Sequence, residues 1–153
     1  GIARAFREKD GTVKSARAKV SFLGTEKYAS IRCLRGEEQC RKDDLEAWLY
    51  MMLEIYNKNN LSWGSLKDRK AILEAKIELM RDSHGLESAG TLKIPKQYHD
   101  IIRGIYKMEY ADAGDFAIFN EQLDSIVREE KFDDTQPFDW IGKYEVEQKK
   151  KEK

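Results

Sequence analysis

Hydrophobic positions cluster in four stretches of the 153-residue chain. "DDLEAWLYMMLEIY", Asp43 to Tyr56, carries Leu45, Trp48, Leu49, Tyr50, Met51, Met52, Leu53, Ile55 and Tyr56. At 100° per residue these cover nearly the whole circumference, which predicts a central helix surrounded by other elements. Asp43 is the expected N-cap, because a carboxylate there accepts backbone N–H groups that lack an intrahelical partner, and Glu46 stands in the capping-box position. "SLKDRKAILEAKIELM", Ser65 to Met80, is amphipathic, with Ser65 as its expected cap and Leu66, Ile72, Leu73, Ile77 and Met80 on the apolar side. Pro95 is placed to start a third helix through "KQYHDIIRGIYKMEY", weakened modestly by Gly104. Asp115 is placed to cap a fourth, "FAIFNEQLDSIVREEK", in which Phe116, Phe119, Leu123, Ile126 and Val127 recur at helical spacing.

Before the first helix the pattern is different. Gly1 to Ile31 has no sustained period and holds Gly11, Gly24, several Ser and Thr and many charges. This predicts a long irregular segment, and loops of such length within a domain are usually functional or disordered. The end, "EVEQKKKEK", predicts a charged, disordered tail. The expected divisions are therefore 1–31, an irregular segment; 32–144, the helices; and 145–153, the tail. No strand and no internal repeat is predicted.

Composition changes the picture little. The 28 basic and 28 acidic residues balance, so no global field favours nucleic acid or an anionic membrane. No apolar run is long enough to cross a bilayer, and no basic-then-apolar signal segment opens the chain. Cys33 and Cys40 are too few for a disulfide framework, and reduced thiols in a cytoplasmic or nuclear setting are expected. His84 and His99 have no metal-ligand spacing to another His or Cys. No metal site is expected, and no complete catalytic constellation is present.

An ordered series of short motifs then carries a resemblance. "GIARAF" resembles the continuation of the kinase D-F-G motif. "GTEKYASI", Gly24 to Ile31, resembles the end of an activation segment of the casein kinase I group. "RKDDLEAWLYMMLE" resembles that group's entry into the central helix of the C-terminal lobe. "LSW" stands for its "L-P-W", and "PFDW", Pro137 to Trp140, resembles the closing motif of the tau-tubulin kinase branch. The resemblance runs from Gly1 to about Tyr144. It implies a mainly α fold, the C-terminal lobe of a serine/threonine kinase, with 1–31 as activation segment and substrate-binding loop, followed by about four helices.

The same resemblance implies roles for individual residues. Gly24 allows close backbone approach. Thr25 matches the threonine whose hydroxyl supports the catalytic aspartate. Lys27, with Lys76 on the second helix, matches a basic pocket for a phosphate or acidic side chain, so that acidic or primed substrates are implied. Asp44 matches the aspartate that holds the catalytic loop from below, and Gly1 stands where D-F-G ends. Asp43 keeps its structural role at the helix start. The sequence also departs from the pattern. Lys27 replaces the commoner Arg, which removes a planar bidentate fork, and Glu26, Arg32 and Ser62 differ too.

Phosphoryl transfer needs a Gly-rich loop, a strand lysine, an H-R-D aspartate and a metal-binding aspartate. None is in these 153 residues, which start at Gly1 rather than Met, as expected of a fragment or processed product. ATP and Mg2+ are therefore implied for the parent kinase and not for this chain alone, which is expected to be inactive. Its implied partners are Ser/Thr protein substrates and the missing N-terminal lobe and catalytic loop, with neither nucleic acid nor membrane. The central helix would keep an open face without them, so marginal stability is expected. A pseudokinase or C-lobe-like binding module is the alternative, and an unrelated small helical interaction domain leaves the motif order unexplained.

Overall fold

A computed structural model describes residues 3–81, 92–114, 116–133, 135, 137 and 141. Among them lie five α-helices and one 3-10 turn: α1 (Ile31–Arg35), α2 (Arg41–Tyr56), the 3-10 turn (Lys58–Asn60), α3 (Arg69–Arg81), α4 (Gln97–Lys107) and α5 (Phe116–Glu129). The only extended pairing among the described residues is an isolated bridge between Arg7 and Val13. The architecture is thus mainly helical, as the sequence implies.

Helix α1 falls where no element is predicted. Ser30 caps it by accepting the Cys33 N–H on its hydroxyl. Gly36 ends it in the left-handed region, at φ 73°. That glycine is doubly required, because a Cβ there would stand 3.1 Å from the Val20 carbonyl, and Val20 donates its N–H to the Gly36 carbonyl at 2.8 Å.

Helix α2 starts two residues before its expected cap. Cys40 occupies the N-cap position, and Asp43, in the first turn, reaches back to accept the Cys40 N–H at 2.7 Å. Asp43 therefore closes the helix start from inside it. Glu46 is no part of a capping box: it is buried and accepts the Ile31 N–H at 2.7 Å and the Tyr50 hydroxyl at 2.6 Å.

Within this chain α2 is not covered on all sides: it keeps an open face, as expected of the central helix without an N-terminal lobe and catalytic loop. Leu49, Tyr50 and Leu53 are fully buried, while Met51 is 45% and Ile55 68% exposed. The 3-10 turn, α4 and α1 pack against α2. The Met51–Ile55 face carries no cover among the described residues.

The remaining helices are one-sided. In α3, Ile72, Lys76 and Met80 point inward at i, i+4 and i+8. Its start is three residues later than a Ser65 cap implies, because Asp68 accepts the Ala71 N–H, at 2.8 Å; Leu66 lies outside the helix and is exposed. Ile101, Ile102 and Ile105 bury one face of α4, and Phe119 and Ile126 bury one face of α5. Phe116 and Val127 are exposed instead. One contiguous core joins these residues to Trp63, Tyr98 and the inner face of α2.

Several expectations lie outside the described residues: Gly1, the Asp115 cap, His84, Phe138 to Trp140 and the tail. No described helix is long and apolar enough to cross a membrane. Cys33 and Cys40 are buried free thiols, and burial pushes both pKa values up.

Candidate substrate-binding loop

The loop from Phe22 to Ser30 owes its shape to buried side chains beneath it. Tyr28 and Ala29 both donate their N–H groups to the Thr25 carbonyl at 3.0 Å, which closes a turn. Trp63, itself 1% exposed, donates its indole N–H to the Lys27 carbonyl at 2.9 Å. Lys76 donates from Nζ to the Glu26 carbonyl at 2.8 Å and the Ala29 carbonyl at 2.5 Å. Glu46 takes the next N–H, that of Ile31. Three core side chains thus satisfy backbone groups that a loop would otherwise present to water.

Lys76 is the least expected of these. It is fully buried, with its ammonium 4.5 Å from the Tyr50 ring centre and 5.3 Å from that of Trp63. The aromatic faces and two carbonyls replace its water shell. Burial still pushes its pKa down to about 8, against the attraction of Glu46. Lys76 therefore does not line an open basic pocket beside Lys27. Its charge is spent on the underside of the loop.

Lys27 is also engaged. Its Nζ lies 2.5 Å from Glu54 Oε1, while the Tyr28 hydroxyl donates to Glu54 Oε2 at 2.5 Å. The hydrogen bond with Glu54 pushes the Lys27 pKa up, and Lys27 with Tyr28 pushes the Glu54 pKa down. Glu26 pairs with Arg69 at 2.8 Å, and the Arg69 guanidinium lies 4.3 Å from the Phe22 ring centre.

Gly24 and Thr25 are exposed on the upper side of the loop. Gly24 has φ 120°, a conformation that a side chain strains, but a Cβ there would meet nothing within 4 Å. Conformation rather than close packing within the described chain is what requires glycine there.

A cleft of about 380 Å³ opens beside the loop, bordered by Ser21, Leu23, Phe6, Arg17, Tyr110 and Asp44. Asp44 is solvent-facing, and its partly desolvated surroundings together with the Asp43 charge push its pKa up. Arg4 and Arg17 both bind Glu38 on the wall of this cleft. These two guanidinium groups hold the Glu38 carboxyl down at about 2. No group of three His, Cys, Asp or Glu side chains among the described residues is arranged to hold a metal ion.

The structure thus brings Gly24, Thr25 and Lys27 onto one loop and sets Asp44 on a cleft that also reaches that loop at Leu23. Glu46, Glu54 and Trp63 are the residues that sequence reasoning missed. Glu54 had a signal of a kind, as the sole carboxylate between Ala47 and Tyr56 in the most apolar part of the chain.

No protein-family model matches the chain. Individual proteins do. The serine/threonine-protein kinase spe-6 of Caenorhabditis elegans is 30% identical over 152 residues, which cover 97% of this chain and 39% of that protein. A protein of Encephalitozoon cuniculi named "Probable casein kinase I homolog" is 30% identical over 145 residues, 92% of this chain and 46% of that protein. A protein of Dictyostelium discoideum named "Probable serine/threonine-protein kinase" is 28% identical, over 92% of this chain and 27% of that protein. The chain is therefore homologous to serine/threonine kinases along nearly all its length, and spans less than half the length of each of these relatives.

Proposed function

We propose that the chain is the substrate-seating part of a serine/threonine protein kinase that transfers phosphate from ATP to protein hydroxyl groups. The observation that carries this reading is the loop itself: Gly24 and Thr25 are exposed above while buried Trp63 and Lys76 hold the backbone from below. A rigid floor is what orientation of a flexible peptide requires, because ordering the reactants contributes much of the catalytic effect. In this reading Gly24 and Thr25 face the peptide, and the Thr25 hydroxyl supports the catalytic aspartate of a separate catalytic loop. Asp44, on the cleft, accepts backbone N–H groups of that loop. The motifs favour the casein kinase I group, with a tau-tubulin-kinase-like branch resting on "PFDW" alone.

The residues of this chain do not themselves fit ATP or Mg2+. They include no Gly-rich phosphate loop, strand lysine or H-R-D aspartate. The chain by itself is inactive in this reading, and its domains divide at Ile31 and near Tyr144. The second reading is a binding module that seats peptides without phosphoryl transfer; the exposed Met51–Ile55 face, a docking surface for either a catalytic loop or another partner, keeps it in view.

The test joins this chain to the N-terminal lobe and catalytic loop of the casein kinase I homolog it resembles. The chimera is expected to phosphorylate a serine peptide, and Thr25→Val to lower kcat at least about tenfold, near 1.4 kcal/mol of transition-state stabilisation. A folded chimera that binds peptide and transfers nothing overturns the kinase reading in favour of the binding module.

A further inference from the structure

We propose that Glu54 sets the substrate class of the loop: it neutralises Lys27 internally, so that the floor selects peptides uncharged at this position and rejects phosphorylated or strongly acidic ones. The proposal rests on the reading of Gly24 to Ile31 as a peptide seat, and it reverses the preference for acidic or primed substrates that the motif implies.

The carboxylate of Glu54 has both oxygens engaged, one by Lys27 Nζ and the other by the Tyr28 hydroxyl. Neither member of the ion pair is freely solvated, with side-chain exposures of 32% for Lys27 and 25% for Glu54. The backbone of Lys27 is itself fixed by Trp63. The pair is thereby preorganised, unlike an ordinary surface ion pair between two mobile side chains.

The other cations around the loop are spent as well. Arg69 holds Glu26, and Lys76 holds two carbonyls from beneath. Glu26 and Glu54 against Lys27 and Arg69 leave this rim with no net charge. A phosphate arriving at Lys27 must displace an intramolecular carboxylate, whose effective concentration is on the order of millimolar or higher. The displaced Glu54 then stays nearby and repels the newcomer. The tool that other members of such a motif group have for reading anions is here occupied by the chain's own side chain.

The test titrates the chain with inorganic phosphate and with a phosphoserine peptide, followed by calorimetry. In the otherwise unchanged protein, Lys27→Met is expected to leave phosphate affinity within about twofold, because Lys27 is already occupied. Glu54→Gln is expected to raise it at least about tenfold, and adding Lys27→Met to that variant to abolish the gain. Phosphate binding that Lys27→Met destroys in the unchanged protein overturns the proposal. So does a Glu54→Gln variant with the parent's circular dichroism and thermal transition but no gain in affinity.

Should Glu54→Gln not fold, amine acylation read by mass spectrometry decides. Lys27 is expected to react several-fold more slowly than Lys70, whose side chain is 82% exposed; equal rates overturn the pairing. Photo-crosslinking of an uncharged serine peptide tests the seat separately. Failure to label residues 24–31, with the phosphate results as expected, overturns the peptide seat and with it the substrate assignment, while the masked charge stands.

Discussion

Two neighbouring segments, neither of them long helix, are held by opposite means. The loop from Phe22 to Ser30 hangs on core side chains: Trp63, Lys76 and Glu46 reach up from buried positions and bind backbone groups. The stretch before it, residues 3–21, is tied mainly by surface charge and a few backbone bonds. Arg4 and Arg17 clasp Glu38, although their side chains are 44% and 52% exposed. The Tyr110 hydroxyl binds the Lys14 carbonyl at 3.1 Å, and Val20 binds Gly36. Burial makes the first set of ties insensitive to solvent, while water and salt compete directly with the second. The candidate peptide floor thus belongs energetically to the core, and the segment leading into it does not.

The most severe way to break this contrast is Trp63→Ala. It removes a fully packed ring, its edge contact with Tyr50 at 5.0 Å and the bond to Lys27. An unfolding free energy lower by about 3–5 kcal/mol is expected by urea titration, with the loop and core lost together. Lys76→Met comes next, at about 2 kcal/mol, since it leaves two partly buried carbonyls without a donor but also relieves the desolvation of a charge. Its signature lies in pH. The Lys76 amine titrates near 8 in the folded protein and at 10.5 when unfolded, so between those values the unfolded chain binds more protons. Its contribution to stability therefore rises with pH from about 8, and Lys76→Met is expected to flatten that rise. The comparison is made below about pH 9, because above it the raised pKa values of Cys33 and Cys40, and above pH 10 those of Tyr50 and Tyr98, act in the opposite direction.

The second region yields smaller effects. Glu38 has a folded pKa of about 2 against 4.5 unfolded, so its contribution is complete above pH 4.5 and is lost as pH falls towards 2. Glu38→Gln is expected to cost about 1 kcal/mol at neutral pH, because half-exposed arginines are screened by solvent, and to remove that acid dependence. The mildest probe is salt. Raising it from 0.1 to 1 M shortens the screening length from about 10 to about 3 Å. Amide exchange in residues 4–20 is expected to quicken a few-fold, an effect below about 1 kcal/mol, while that of Tyr28, Ala29 and Ile31 stays within about twofold. Equal responses in the two segments would erase the distinction.

Much of the helical order was legible beforehand. The one-sided patterns of α4 and α5 locate those helices directly, since Ile101, Ile102 and Ile105 or Phe119 and Ile126 recur at the period that buries one stripe. Helix starts were less legible. Asp43 sits in the first turn and not at the cap expected of it, because Cys40 gives no capping signal, and Asp68 takes the place expected of Ser65, whose signal is false. The five-residue α1 has too few turns for any periodicity to register. The all-apolar α2 suggested burial around its full circumference. Periodicity reports which faces are able to be buried, and the neighbours actually present decide which are.

By itself, the sequence determined a mainly helical chain, an irregular leading segment and an ordered set of kinase-like motifs around Gly24 to Ile31 and Asp43 to Tyr56. These depend on local spacing and residue type, which the chain carries in its own order. Only the tertiary structure decided which charges meet. Lys76 meets carbonyls 47 and 50 residues away, Lys27 meets a carboxylate 27 residues on, and Glu46 meets an N–H 15 residues back. Charge acts through distance in space and through the solvent that burial excludes, and neither quantity is written along the chain.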